Sequence, residues 1–520
     1  MTARDESRQS RPPHSGPAEF PDRPPEGAQP VRALVRFSGE LSTKARRTRS
    51  RFQNRLAHNL RDGFATERVQ ATLRPEWSRF YIDGVDRGFL GPLTRTFGVS
   101  SCSILAGECE AELDVIVKVG TELFAEAVRG RSYAVRARRS GSHGFSSSDI
   151  HVRLGAALNP GATVDLGDPD VTVFVEVRDG RAFFYEDRVR GPSGLPLGVQ
   201  GQALALISGG FDSPVAAWMA LRRGIHLDYV FCNLGGRAYE RMVVEVTKIV
   251  ADRWSYGTRP RLHVLEFGPV VEAMRSRAKP AYLQVVLKRM MYRAAAEIGT
   301  RIGAEALVTG ESVGQVSSQT LRNLRAIENA SSLPVLRPLL GFHKEEILER
   351  AREIGTYELS SRVREYCDIV PQRPVTASSP AAAEAQEAAV GLEELAAAIS
   401  GATVHDVRGL RPESMAGASL YVTDVPQGAA IIDTRPREAF ESWHWPGATR
   451  QDLLALERDF GGLDRETTYI LCCAEGVRTA YLAEVMQRAG YEAYSFLGGA
   501  PRMRRAMPGS PHGLSDRDAF

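Results

Sequence analysis

Two short stretches of this chain hold residue types that could do chemistry. The first is Ser208-Gly209-Gly210-Phe211-Asp212-Ser213, between the apolar run ALALI and a helix-like pattern. Gly209 and Gly210 permit a tight turn and close approach of backbone to a ligand. Ser208, Asp212 and Ser213 offer side-chain oxygens. The next helix, predicted over Pro214–Arg223 with Gly224 as its stop, points its N-terminus at the same spot. Free N–H groups and the helix dipole there favour phosphate, and Asp212 could hold Mg2+ against it. The Walker A pattern is absent. By itself the stretch leaves an ordinary βα turn and a phosphate cradle both open.

The second stretch is Cys473-Ala474-Glu475-Gly476-Val477-Arg478, between the strand-like TYILC and a helix. This C-x-x-G-x-R spacing wraps a loop around sulfur. Backbone N–H groups, a helix N-terminus and Arg478 all favour the thiolate. A thiolate, unlike a thiol, accepts a sulfane sulfur and becomes a persulfide. Counting from Cys472 breaks the spacing, so Cys472 reads as a strand-end core residue.

The elements that must position these groups follow from periodicity. Over 200–370, ALALIS, LDYVFCN, LHVLEF and EALVTGES alternate with amphipathic helices. That alternation predicts a parallel, doubly wound α/β sheet with ligands beyond the carboxyl ends of its strands. AAIIDTR (429–435), TYILCC (468–473) and Ala493–Leu497, with a helix over Thr479–Ala489, form a smaller βα alternation. VRALVRF opens an ordered region at Val31, followed by a helix from about Ser42 to His58.

Bulk properties set the frame. The 520 residues are 43% hydrophobic and 25% charged, ordinary for several globular domains. No apolar run reaches the roughly 20 residues needed to span a bilayer, and the Arg- and Pro-rich start lacks an apolar signal region. A membrane location is not expected, and the cytoplasm is. Six cysteines do not make a disulfide scaffold in a chain this long. The net charge of +3 means that any nucleic-acid surface depends on local clustering. Residues 31–75 carry eleven Lys and Arg against Glu40, Asp62 and Glu67, and residues 129–139 carry five arginines and no acid. Alternation in YAVRARR puts Arg136 and Arg138 on one strand face. A solvated basic face is the common fate of one such run. Two runs ahead of a nucleotide-using region favour RNA backbone.

S-G-G-x-D-S resembles the PP-loop of enzymes that use ATP to adenylate a substrate oxygen. With FCNLGG (231–236), LKRMMYRAA (287–295), ALVTGESVGQVSSQTLRNL (306–324), LRPLLGFHKEEI (336–347) and REYCDIV (364–370) in that order, the chain resembles the tRNA 4-thiouridine synthetase (tRNA sulfurtransferase) family, also linked to thiamine biosynthesis. IIDTRPREAFESWHWPGA and FLGG resemble rhodanese signatures. GELSTKARRTRSRF resembles the family's ferredoxin-like element, and SYAVRARRSGSHGFSS its THUMP domain.

Residues 1–30, rich in Pro, Gly, Ser and Arg without periodicity, read as a disordered extension, and the resemblance implies a ferredoxin-like domain over 31–95 and a THUMP domain over 96–195. A PP-loop domain over 196–374, a rhodanese-like domain over 403–505 and a tail over 506–520 complete it, and the Ala- and Glu-rich composition of 375–402 reads as a partly helical linker between the two domains. It implies that ATP, with Mg2+, sits among Leu206, Ile207, Ser208, Gly209, Gly210, Asp212, Ser213, Phe231, Cys232, Lys288, Gly310 and Gln319. Lys344 matches a catalytic lysine, although His343 stands where the family commonly has aspartate. Asp212 and Cys473 join Lys344 as catalytic expectations. Cys367 is the expected partner of Cys473 in a transient disulfide. The expected partners are tRNA, a cysteine desulfurase as sulfur donor, a thiol reductant and a small sulfur-carrier protein for thiazole synthesis. The expected product is 4-thiouridine at tRNA position eight. A persulfide carrier that leaves tRNA untouched is the alternative.

Overall fold

The computed structural model describes residues 31–76, 79–84, 87–234, 236–361, 373–410, 420–474 and 477–507. The expected extension over 1–30, Cys367 and most of the expected tail lie outside them. The chain divides into two compact units. One gathers residues up to Ser42, Leu60–Arg95 and Val99–Pro192; the other holds Thr43–Asn59, Thr96–Gly98 and everything from Ser193.

The first unit contains two five-stranded sheets. One is antiparallel, in the order Val189–Arg190, Val99–Ile104, Val31–Phe37, Phe80–Gly84, Ala71–Pro75. The expected boundary at 95/96 therefore falls too early, because Val99–Ile104 pairs with Val31–Phe37. That pairing spans about seventy residues and leaves no local signal. The second sheet runs Gly107–Glu110, Arg181–Tyr185, Val171–Arg178, Ser132–Arg139, Thr163–Val164. Its core includes Phe124 and Leu154 from the helices Leu113–Val128 and Ser147–Leu158. Arg36 and Arg79 reach from the first sheet's side to buried Glu176 on the second. Burial alone would raise that carboxyl, but the two guanidinium groups hold it below the usual range.

The helix after the first strand runs Arg46–Thr66, beyond the expected stop at His58. Phe52, Leu56, Leu60 and Phe64, four residues apart, are all buried, so its apolar stripe continues.

In the second unit, strands run in the order Val335–Leu336, Ala306–Val308, Gln202–Leu206, His226–Asn233, Arg261–Glu266, Thr403–Asp406. The first five are parallel. The chain builds outward from Gln202–Leu206 to one side, then returns to add Ala306–Val308 on the other. The switch point of the sheet thus lies between these two strands, where ligands bind in such folds. Helices cover both faces. One core packs Val215, Trp218 and Val243 against the sheet, and the other packs Met274, Val286 and Met290.

The expected linker is not a linker. Residues 375–402 form two helices, Pro380–Val390 and Glu393–Ser400, whose Val390, Leu395 and Ile399 are buried in the second of those cores. The next stretch, Thr403–Asp406, pairs antiparallel with Arg261–Glu266 and closes the sheet edge. An Ala- and Glu-rich composition fits a tether and a packed helix alike; the buried apolar spacing decides for the helix. The start of the rhodanese-like region accordingly moves past 410. Its own sheet is five parallel strands in the order Tyr421–Val422, Ala493–Phe496, Tyr469–Cys472, Ala430–Asp433, Thr449–Arg450.

Glu387 on the first of the two helices accepts from Arg289 at 2.5 Å and from Arg293 at 2.6 Å. Arg289 is fully buried and Glu387 is 3% exposed. Removing one partner of a buried pair strands the other charge. Glu387→Ala should therefore lower unfolding free energy by about 3–5 kcal/mol in denaturant titration. Glu441→Ala, at an exposed pair with Arg437, should cost under about 1 kcal/mol.

Candidate functional site

The glycine turn sits where the topology demands. Ile207 continues the strand by donating to the Val230 carbonyl. Ser213, in the first turn of the helix Asp212–Arg222, closes the loop behind it. Its Oγ accepts from the Ser208 N–H at 2.8 Å, and the two hydroxyls lie 3.0 Å apart. Ser360 Oγ donates to the Gly210 carbonyl. Ser208 and Ser213 thus shape the turn with the side chains expected to meet phosphate.

Asp212 opens the helix and is held at both oxygens. Lys344 Nζ donates to Oδ1 at 2.8 Å, and Gln315 Nε2 to Oδ2 at 2.9 Å. Lys344 is itself the first residue of the helix Lys344–Ile354, and its ammonium also lies 5.5 Å from the Phe211 ring. Two expected catalytic groups, 132 residues apart, meet here. Gln315 was missed by sequence reasoning. Its signal lay in the Gly314-Gln315 turn inside ESVGQVSSQ, where Gly314 has φ +79°. His343 is the N-cap of the Lys344 helix, and its N–H donates to Glu346 Oε2 at 2.8 Å. Glu346 thus satisfies the N-cap donor of that helix.

Gly310 explains the closeness. It follows the strand Ala306–Val308, and a Cβ there would fall 2.7 Å from Asp212 C and Ser213 N. Only glycine lets that loop lie against the helix start. Beyond it, Gln319 Oε1 accepts from the Ser312 N–H, and the Gly314 N–H donates to the Gln319 carbonyl. Gln319 is therefore a loop tie.

Of the remaining expected residues, Leu206, Ile207, Phe231 and Cys232 line the strand ends, and Lys288 lies on the helix Leu283–Arg301. Ile207 and Phe231 are packed in one core, and Cys232 in the other, with Leu206 against it. Their side chains are committed to packing. Burial pushes the Cys232 thiol up to about 12, and Lys288 opposes that shift from nearby.

At the sulfur end, Cys473 follows the strand Tyr469–Cys472 and is 6% exposed. Glu475 and Gly476 lie outside the described residues, as does the side chain of Arg478. Arg435 Nε and Nη2 grip the buried Asp433 carboxylate, and Nη2 also reaches the Trp443 carbonyl. Burial pushes the Cys472 thiol up to about 12, in keeping with a core residue.

This region rests on the helix Gly236–Trp254 of the nucleotide-type domain. Glu484 Oε1 accepts from the Arg237 N–H at 3.1 Å, at that helix's N-terminus. Arg241 lies over the Tyr421 ring at 5.4 Å. Burial holds the Tyr421 phenol above its usual range, against the pull of Arg241.

The basic residues take exposed positions in each unit. Lys44, Arg46, Arg47 and Arg51 are exposed in the second. In the first, Arg136 and Arg138 are exposed while Ala137 between them is buried. Among the described residues, no His/Cys/Asp/Glu group has the arrangement to hold a metal by itself, and no helix is long and apolar enough to cross a membrane.

Comparison with known proteins matches four family models to successive parts of the chain. They are a ThiI ferredoxin-like domain at residues 32–103, a THUMP domain at 110–187, thiamine biosynthesis protein (ThiI) at 198–392 and a rhodanese-like domain at 422–504. The tRNA sulfurtransferase of Pyrobaculum aerophilum is 38% identical over 91% of this chain and 98% of that protein. The enzyme of the same name from Pectobacterium atrosepticum is 32% identical over 89% and 98%. A crystal structure of a 4-thiouridine synthetase–RNA complex with bound ATP is similar with a TM-score of 0.63 and 30% identity, over 72% of this chain and 99% of that one.

The Gly310 contact makes a stability prediction. Gly310→Ala should cost about 1–3 kcal/mol, as overpacking against backbone does, and lower the denaturation midpoint. Gly268→Ala, where a Cβ meets nothing within 4 Å, should be near neutral.

Proposed function

Because this chain belongs to the ThiI family of tRNA sulfurtransferases, we propose how its residues carry out ATP-dependent formation of 4-thiouridine in tRNA. The chain is an α/β enzyme with ferredoxin-like, THUMP, PP-loop and rhodanese domains. The observation that carries the residue-level reading is the convergence of Asp212, Lys344 and Gly310 at the switch point of the sheet.

The turn fits a nucleotide phosphate: side-chain-free backbone at Gly209 and Gly210, a helix N-terminus, and a carboxylate already beside an ammonium. Asp212 would hold Mg2+, and Lys344 would offset negative charge growing at the phosphates. ATP supplies an adenylate that turns the uracil C4 oxygen of uridine eight into a leaving group. The backbone at the ends of Gln202–Leu206 and His226–Asn233 would orient the nucleotide, while the loop tied by Gln319 shapes the other side.

Exposed arginines and Lys44 support docking of the tRNA backbone and shape. Cys473 carries the sulfur as a persulfide, charged by a cysteine desulfurase, and gives it to the activated carbon. The outer sulfur is then still bonded to Cys473, and Cys367, outside the described residues, attacks the Cys473 sulfur, which breaks that S–S bond, releases 4-thiouridine and leaves a Cys367–Cys473 disulfide that a thiol reductant opens. This work takes place in the cytoplasm. The family description also names thiamine biosynthesis, which needs the persulfide end and a small sulfur-carrier protein but not the ATP turn.

The test is mass spectrometry of tRNA nucleosides from a strain lacking this chain and rescued with variants. Asp212→Ala should lower 4-thiouridine by about a hundredfold or more, and Cys473→Ser should abolish it. Cys472→Ser should retain it. Wild-type 4-thiouridine with either of the first two would end this reading.

A further inference from the structure

Thr479 and Ser495 have no role in the reading so far, yet they meet directly beside the sulfur. Thr479 Oγ1 donates to Cys473 Sγ at 3.4 Å. The same oxygen lies 2.8 Å from Ser495 Oγ. Thr479 sits in the first turn of the helix Val477–Arg488, and Ser495 lies on the strand Ala493–Phe496, paired opposite Leu471. Both residues are fully buried.

Two buried hydroxyls in a small apolar core cost stability unless they are bonded, and aliphatic side chains would fill the space without that cost. A hydroxyl has one proton. Thr479 directs its proton to sulfur, so at the 2.8 Å contact Ser495 donates to Thr479. The result is a directed chain, from Ser495 to Thr479 to sulfur, in which each donor polarises the next. A donor gains about twice as much from an anionic acceptor as from a neutral one. The chain therefore favours a negative sulfur over a thiol. Cys472 gives the contrast: among the described residues no hydroxyl donates to its sulfur, and its Sγ instead points a proton at the Cys473 carbonyl, 3.7 Å away.

We propose that Thr479, backed by Ser495, is a catalytic residue of the sulfur-transfer step that holds Cys473 as the attacking thiolate. The proposal rests on the reading of Cys473 as the sulfur-bearing residue. In the step, the Cys473 thiolate attacks the outer sulfur of the donor persulfide, R–S–SH. A new S–S bond forms on Cys473, the donor S–S bond breaks, and its electron pair leaves on R–S⁻. Cys473 is left as the persulfide and the donor as a thiolate, with no net oxidation.

The test is alkylation of Cys473 by iodoacetamide in the full-length chain, followed by mass spectrometry of the peptide that contains it. At about pH 7, Thr479→Val should react about five- to tenfold more slowly than wild type, and Ser495→Ala about two- to threefold. At about pH 10, where the thiol ionises without help, the Thr479→Val rate should return to within about twofold. Thr479→Ser should restore the wild-type rate at both. A Thr479→Val protein alkylated at the wild-type rate near neutral pH overturns the proposal. Equal slowing at both pH values also overturns it, since that reports access rather than charge. If Thr479→Val does not fold, an unchanged Ser495→Ala rate is decisive against the relay. Alkylation needs neither tRNA nor ATP, so this failure is distinct from persistence of 4-thiouridine in Cys473→Ser.

Discussion

The approach of two loops at Gly310 is the constraint on which the nucleotide end depends. Parallel strands leave a sheet in the same direction, and neighbours at a switch point send their chains apart to opposite faces. The crevice so made is useful only if its walls come close enough to share charges. At Gly310 the wall is bare backbone, in contact distance of the Asp212–Ser213 peptide. That contact sets the height of the 312–319 loop, which carries Gln315 to one oxygen of Asp212. Lys344 arrives at the other oxygen from a helix more than a hundred residues along the chain. The carboxylate is thus held at both oxygens by partners from two separate segments of the chain.

The sulfur end uses a different economy. Its sheet is small, and its core packs Leu471, Leu482 and Met486 tightly. Buried polar groups in such a space are few and paired: Asp433 with Arg435, Thr479 with Ser495. This lobe is seated on the helix Gly236–Trp254, whose first turn donates to Glu484. The same helix leaves directly from the strand end that holds Phe231 and Cys232. One element therefore links the seat of the rhodanese-like lobe to the edge of the crevice at the switch point.

Much of this was legible in the residues. Glycines, a serine pair and an aspartate at a strand–helix junction identify a turn, because each has a local mechanism. The C-x-x-G-x-R loop is similarly local. What stayed hidden was held by partners far along the chain. Ser208 and Ser213 read as side-chain oxygens at the turn, and the bond that five residues of separation let them make to each other was not legible. Gln315 has no meaning until Asp212 stands beside it. Phe231 and Cys232 were read from their place at a strand end, and the packing of their side chains in two different cores was not legible. Residues 375–402 were misread for the same reason. Alanine and glutamate say helix, but only burial of Val390, Leu395 and Ile399, and the Glu387 pairs, says whose helix.

The closing edge strand carries a consequence for synthesis. Thr403–Asp406 completes a sheet whose central strand begins at Gln202, about two hundred residues earlier. At roughly 5–20 residues per second, a ribosome takes about 10–40 s to cover that distance. For the last two thirds of that interval, about 140 residues, the Arg261–Glu266 strand waits with one flank unpaired, a template for any stray strand. The nascent chain closes it just before the sulfur lobe emerges from the exit tunnel, so the platform is finished by the time its passenger arrives.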